Sequence, residues 1–147
     1  MKLKLILALA CCLGFAPAHA QTDISKDFGD YRVYYSVFNS SFITPEIAAL
    51  YGLTRGSNRA LVNISLIRTS ADGDSLGLPA QVSGTARNLI MQNTPLNFVE
   101  IDEGDVTYYL ASFRFDDQDP LHFDIEVNHE DTRVPHKLSF TRTLYAD

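Results

Sequence analysis

From residue 28 onward, apolar and polar positions alternate along most of the chain, the period of two expected of strands with one buried face. The first run, Asp30–Asn39, puts Tyr31, Val33, Tyr35 and Val37 on one face and Arg32, Tyr34 and Ser36 on the other. A second, Ala60–Thr69, sets Val62, Ile64 and Leu66 against Leu61, Asn63 and Ser65. Runs over Ala80–Asn88, Leu96–Ile101 and Val106–Phe115 follow. The sixth is the cleanest, with Leu121, Phe123, Ile125 and Val127 inward and His122, Asp124 and Glu126 outward. The last covers Lys137–Tyr145, with Leu138, Phe140 and Leu144 on one side. Turn residues separate the runs, notably Ala71-Asp72-Gly73-Asp74, Asp102-Glu103-Gly104-Asp105 and Asp116-Asp117-Gln118-Asp119-Pro120.

One segment carries helix signals instead. Thr44 suits an N-cap, Pro45 the first helical position, Glu46 the positive end of the dipole and Gly52 a left-handed ending residue. A helix over Thr44–Tyr51 has two turns, which suits a packing connector between sheets. About seven strands with one short helix predict an all-β fold, an antiparallel β-sandwich of immunoglobulin-like type, with a small barrel as the alternative. No repeat or linker divides the chain, so residues 28–147 are expected to form one domain and residues 21–27 a flexible lead-in.

The N-terminus follows a different pattern. Lys2 and Lys4 precede an apolar run from Leu5 to Leu13, then Gly14 and Pro17, then Ala18-His19-Ala20. A positive start, apolar middle and A-x-A ending describe a secretory signal peptide over residues 1–20, cleaved after Ala20. The run is well short of the roughly 20 apolar residues a membrane span needs, which argues against an uncleaved anchor. Acylation at Cys11 is the third reading. It lacks a leucine at the expected place upstream and would leave a very short apolar core.

Cleavage changes the composition. The 147-residue chain has 12 Lys+Arg, 18 Asp+Glu and a net charge of −6. Removing residues 1–20 takes both leader lysines and no acid, leaving 127 residues at −8 without either cysteine. The exported form would have no disulfide, thiolate nucleophile or cysteine metal ligand. Its acidic balance argues against nucleic acid, whose recognition needs a basic face. A domain of this size buries roughly two-thirds of its surface and needs no staple.

Catalytic signatures are sparse. Val82-Ser83-Gly84 lacks the flanking glycine of a nucleophile elbow, there is no Ser-x-x-Lys, and His129-Glu130 is followed by Arg133 where a zinc-protease helix needs histidine. No enzyme activity and no cofactor are expected. The sharpest chemical candidate is a metal site on the polar face of the sixth run, His122, Asp124 and Glu126, set against the ordinary solvation of a half-buried strand. Tyr34-Tyr35 and Tyr108-Tyr109 each place one ring on each sheet face. Tyr34 and Tyr108, with Arg59 and Asn63 amid apolar neighbours, are the candidate contacts for a partner or ligand.

The ordered set Phe28-Gly29-Asp30-Tyr31, Phe38-Asn39-Ser40, Pro45-Glu46, Tyr51-Gly52, Asn58-Arg59-Ala60-Leu61, Asn63-Ile64-Ser65, Glu103-Gly104-Asp105 and Tyr108-Tyr109-Leu110-Ala111 resembles domain-of-unknown-function family 4426, short exported proteins of Gram-negative bacteria. The likeness covers nearly the whole mature chain, apart from hydrophobic swaps such as Ile43. It implies a periplasmic β-sandwich standing alone after a signal peptide and assigns no catalytic residue. The expected function is a non-enzymatic binding or interaction module accessory to an envelope process. Its partner would be an envelope protein or a small ligand, with no membrane span after cleavage. A metal-binding protein is the alternative.

Overall fold

The computed structural model describes residues 24–147. The signal peptide, its cleavage point after Ala20 and Cys11 lie outside the described residues. Nine strands form two antiparallel sheets: β1 (Ser25–Phe28), β2 (Tyr31–Asn39), β3 (Arg59–Arg68), β4 (Gln81–Arg87), β5 (Asn93–Leu96), β6 (Val99–Asp102), β7 (Thr107–Arg114), β8 (Pro120–Asn128) and β9 (His136–Thr143). One sheet runs β1-β2-β3-β7-β6 and the other β5-β4-β8-β9. A helix, α1 (Pro45–Tyr51), lies between β2 and β3.

The sheets pack face to face because each presents an apolar row. Val33, Val62, Ile64 and Ala111 of the first sheet meet Phe123, Ile125, Val127 and Leu138 of the second. Aromatic rings span the gap. Phe113 sits edge-on to Phe123 at 5.3 Å, Phe123 stacks on Phe140 at 5.0 Å, and Phe140 stacks on Tyr35 at 4.5 Å. A second cluster lies on the outer face of the five-stranded sheet, where Ala48 of α1 and the following Leu53 cover Leu61, Leu110 and Ile101. Burial on both faces is why β3 reads as a nearly continuous apolar run.

The helix forms as its residues dictate. Thr44 Oγ1 accepts the Ile47 N–H at 3.3 Å, Pro45 opens the first turn, and Gly52 closes the helix at φ 66°. Leu53 N–H then returns to the Ala48 carbonyl at 2.8 Å.

Two expectations need correction. Part of the lead-in 21–27 is strand: Ser25–Phe28 pairs with Tyr34–Tyr31. Its Lys26 and Asp27 gave no apolar alternation, because it is an edge strand held by backbone bonds and Phe28. The run Leu96–Ile101 is two strands, since Asn97 and Phe98 carry the chain from the end of β5 in one sheet to β6 in the other. β5 buries only Leu96, so periodicity alone cannot show the crossing.

Every pairing is antiparallel, which fixes two ends. The β1–β2, β3–β4, β6–β7 and β8–β9 connections share one end, with Asp30, Asp72, Asp74, Glu103, Asp105, Glu130 and Asp131 against Arg32, Arg68 and Arg133. The β2–β3, β4–β5 and β7–β8 connections and the C-terminus share the opposite end.

Candidate functional site

At the acidic end the sheets part beside β6 and leave a cleft of about 640 Å³. The β3–β4 connection supplies Pro79 and Ala80 as it feeds Gln81 into β4. β6 and β7 supply Glu100 and Tyr109, which face each other across the strand pair. β8 ends in Asn128, and His129 and Glu130 follow.

The polar groups of this cleft are fixed from behind. Tyr109 Oη accepts the Ala80 N–H at 2.7 Å, leaving the phenolic proton free to donate. Burial pushes the Tyr109 hydroxyl up from its ordinary value, and the charges of Glu100 and Asp102 push the same way against the lowering effect of the Ala80 bond. It therefore stays protonated at neutral pH. Asn128 Oδ1 is buried with no hydrogen-bond partner among the described residues. His129 is buried, and its Nδ1 receives the Asp131 N–H at 3.2 Å and lies 3.4 Å from the Tyr31 hydroxyl. Tyr31 is itself held by the Arg68 guanidinium at 2.7 Å, and Arg68 reaches Asp131 at 3.0 Å.

His136 completes this cluster. Its ring lies 4.6 Å from Phe28 and 5.5 Å from Tyr31, and its Nε2 is buried without a hydrogen-bond partner among the described residues. Burial, then the proximity of His129, pushes its pKa below the ordinary histidine value. Chemically, the cleft offers the carboxylates of Glu100 and Glu130 as acceptors beside the Tyr109 hydroxyl. That suits a cationic hydrogen-bond donor.

A family model described as Domain of unknown function (DUF4426) matches residues 25–147. The chain belongs to the DUF4426 family. The match starts at the first residue of β1, as the fold requires. Among solved structures, this DUF4426 chain is similar to the crystal structure of a DUF4426 family protein from Pseudomonas aeruginosa. The two are 30% identical with a TM-score of 0.73, over 84% of this chain and 94% of that one. No curated protein matches the sequence.

The DUF4426 fold disperses the residues singled out from sequence. His122, Asp124 and Glu126 do share the open face of β8, but they are engaged with other side chains. His122 Nε2 lies 3.2 Å from Asp124 Oδ1, Ser139 donates to the same oxygen at 2.6 Å, and Glu126 pairs with Lys137 at 3.3 Å. Among the described residues no group of three His, Cys, Asp or Glu could hold a metal ion, so the metal-site reading is corrected. Its physical fault is spacing: alternate residues on a strand stand about 7 Å apart, too far for three to converge unaided.

Tyr34, Arg59, Asn63 and Tyr108 fall on the outer face of the five-stranded sheet without forming one site. The Arg32 guanidinium reaches the Tyr34 hydroxyl at 3.5 Å, while Tyr108 donates to Glu103 at 3.1 Å beside the cluster under α1. Arg59 stands opposite Arg114, and Asn63, between Ser36 and Leu110, has a buried Oδ1 with no hydrogen-bond partner among the described residues. Sequence reasoning missed Glu100, Asn128 and the placement of His129. Glu100 is far from Asn128 and His129 along the chain, and only the closing of the sandwich brings it to them.

Proposed function

We propose that this protein is an exported, periplasmic, non-enzymatic binding module accessory to an envelope process, which receives a basic group of its partner in the acidic-end cleft. The observation that carries the reading is a cleft lined by two carboxylates, Glu100 and Glu130, with no Lys or Arg among its lining residues. A cationic group entering there meets both carboxylates in surroundings less screened than open solvent. The leader pattern of residues 1–20 supports export. The immunoglobulin-like reading is supported by the strand order. With β1 set aside, 2-3-7-6 against 5-4-8-9 follows the ABED and C′CFG arrangement of that topology.

Two measurements test this. N-terminal sequencing of protein released from the periplasm should read from Gln21; retention in the cytoplasm with Met1 intact would refute export. A photo-crosslinking residue at Gln81 should capture a periplasmic protein, and capture should fall when Glu100→Gln and Glu130→Gln are combined. Equal capture from Ser139, on the open face of the four-stranded sheet, would refute the cleft assignment.

A further inference from the structure

We propose that the end opposite the cleft is a docking face for a phospholipid bilayer, on which the protein rests without crossing it. The β4–β5 hairpin turns through Leu89, Ile90 and Met91, three consecutive large apolar side chains each 66–74% exposed. Runs of this kind on a surface mark contact with a partner or a membrane. The turn is held rigidly. Asn88 Oδ1 accepts the Gln92 N–H at 2.9 Å, the two side-chain amides bond at 2.9 Å, and Met91 N–H donates to the Asn88 carbonyl at 3.1 Å. Met91 sits at φ 65°, in the left-handed region where glycine is unstrained. The strained position is thus occupied by a side chain that adds apolar surface at the tip, the kind of outlier that marks function.

Other loops supply apolar groups at the same end. Phe42, against Phe38 at the end of β2, is 79% exposed, and Tyr145, whose carbonyl is bonded by Asn39, is 63% exposed. Of the large exposed apolar residues described, only Leu76 and Val134 lie in the acidic-end connections.

Three features select a bilayer as the occupant. The apolar groups sit on projecting tips rather than in a groove, which suits an interface without fixed shape. Arg55, Arg59, Arg87, Arg114 and Arg142 stand against Glu46, Asp116, Asp117, Asp119 and Asp147 at this end, whereas carboxylates outnumber arginines at the other. An anionic leaflet would therefore repel the far end and tolerate this one. Finally, β1 is directed away from this end and toward the acidic one. Among the described residues no helix is long and apolar enough to cross a membrane, in keeping with a peripheral attachment. The inference is independent of the cleft reading.

The chain has no tryptophan, so one introduced at the tip is a clean reporter. The chain from Gln21, which contains every described residue, would be made as Ile90→Trp and, at the acidic end, as Leu76→Trp. Both would be titrated with vesicles of phosphatidylethanolamine and a minority of phosphatidylglycerol. Emission should shift to the blue for Ile90→Trp alone, with quenching by brominated acyl chains. Combined Leu89→Ser, Ile90→Ser and Met91→Ser should lower vesicle cosedimentation about tenfold or more, since each side chain loses its burial in the bilayer. Absence of a shift, equal shifts at both ends, or cosedimentation unchanged by the triple variant would overturn the proposal. So would a concentration-dependent dimer that the triple variant abolishes without any vesicle binding, which would assign the face to a second copy.

Discussion

Phe123 is the side chain on which the spacing of the two sheets most depends. It is fully buried, edge-on to Phe113 of the opposite sheet and stacked on Phe140, which in turn stacks on Tyr35. Phe123→Ala removes the ring and both contacts, and the rigid strands around it close only part of the void. The expected loss is about 3–5 kcal/mol. Phe123→Leu keeps most of the volume and forfeits mainly the aromatic geometry, about 1–2 kcal/mol. For a domain of this length each kcal/mol corresponds to roughly 3–6 °C in melting temperature. Urea unfolding followed by far-UV circular dichroism would measure both, with an unchanged slope showing that the denatured state is not altered. Phe42→Ala, at an exposed ring, should change stability by no more than about 0.5 kcal/mol. A loss below about 1.5 kcal/mol for Phe123→Ala, or one no larger than that of Phe42→Ala, would refute the inter-sheet packing described here.

Acid should weaken the fold through His136. Its folded pKa is lowered by burial and His129, so between the unfolded value near 6.5 and the folded one the unfolded chain binds more protons. Its contribution is therefore fully present above about pH 6.5 and declines as the pH falls below it, by at most about 1.4 kcal/mol per pH unit. Thermal melts across that range should show the decline, and His136→Phe, which keeps a ring against Phe28 and Tyr31, should flatten it. Gly77→Ala should destabilise by about 1–3 kcal/mol, because its Cβ would run into the Thr107 carbonyl oxygen, a backbone group unable to turn away. The same variant should weaken capture at Gln81, since the displaced connection carries Pro79 and Ala80 into the cleft; an unchanged melting temperature would contradict the close approach.

The central strands and the helix were legible in sequence because one physical signal governed each. Alternation marked β2, β7 and β8, and Thr44, Pro45 and Gly52 bracketed α1 with the cap, first-turn and left-handed roles their chemistry favours. The edges were not. β1 is mostly polar and depends on backbone bonds to β2, which leave no trace in side-chain pattern. The sheet change at Asn97-Phe98 follows a strand, β5, that buries only Leu96 and so leaves no periodic signal. The candidate site was the least legible: Asn128 and His129 are ordinary polar residues at a strand end until the loop before Gln81 and the edge at Glu100 close over them. Conversely, the row His122, Asp124, Glu126 was correctly placed on one face, but neighbouring Ser139 and Lys137 engage it.

The route of the chain between sheets has a mechanical consequence. The β3–β4, β5–β6 and β7–β8 connections all pass between the sheets, whereas β1 and β2 face β9 with no covalent passage there. That margin is closed by non-covalent contacts: Lys26 on the Lys137 carbonyl at 3.2 Å, Tyr35 on Phe140, Tyr31 against His129, and the Asp147 N–H on the Ser57 carbonyl at 3.0 Å. The sandwich is thus bound along one spine and merely latched along the other. Local opening should begin at the latch, so amide hydrogens of β1 and β9 would exchange before those of β3 and β7.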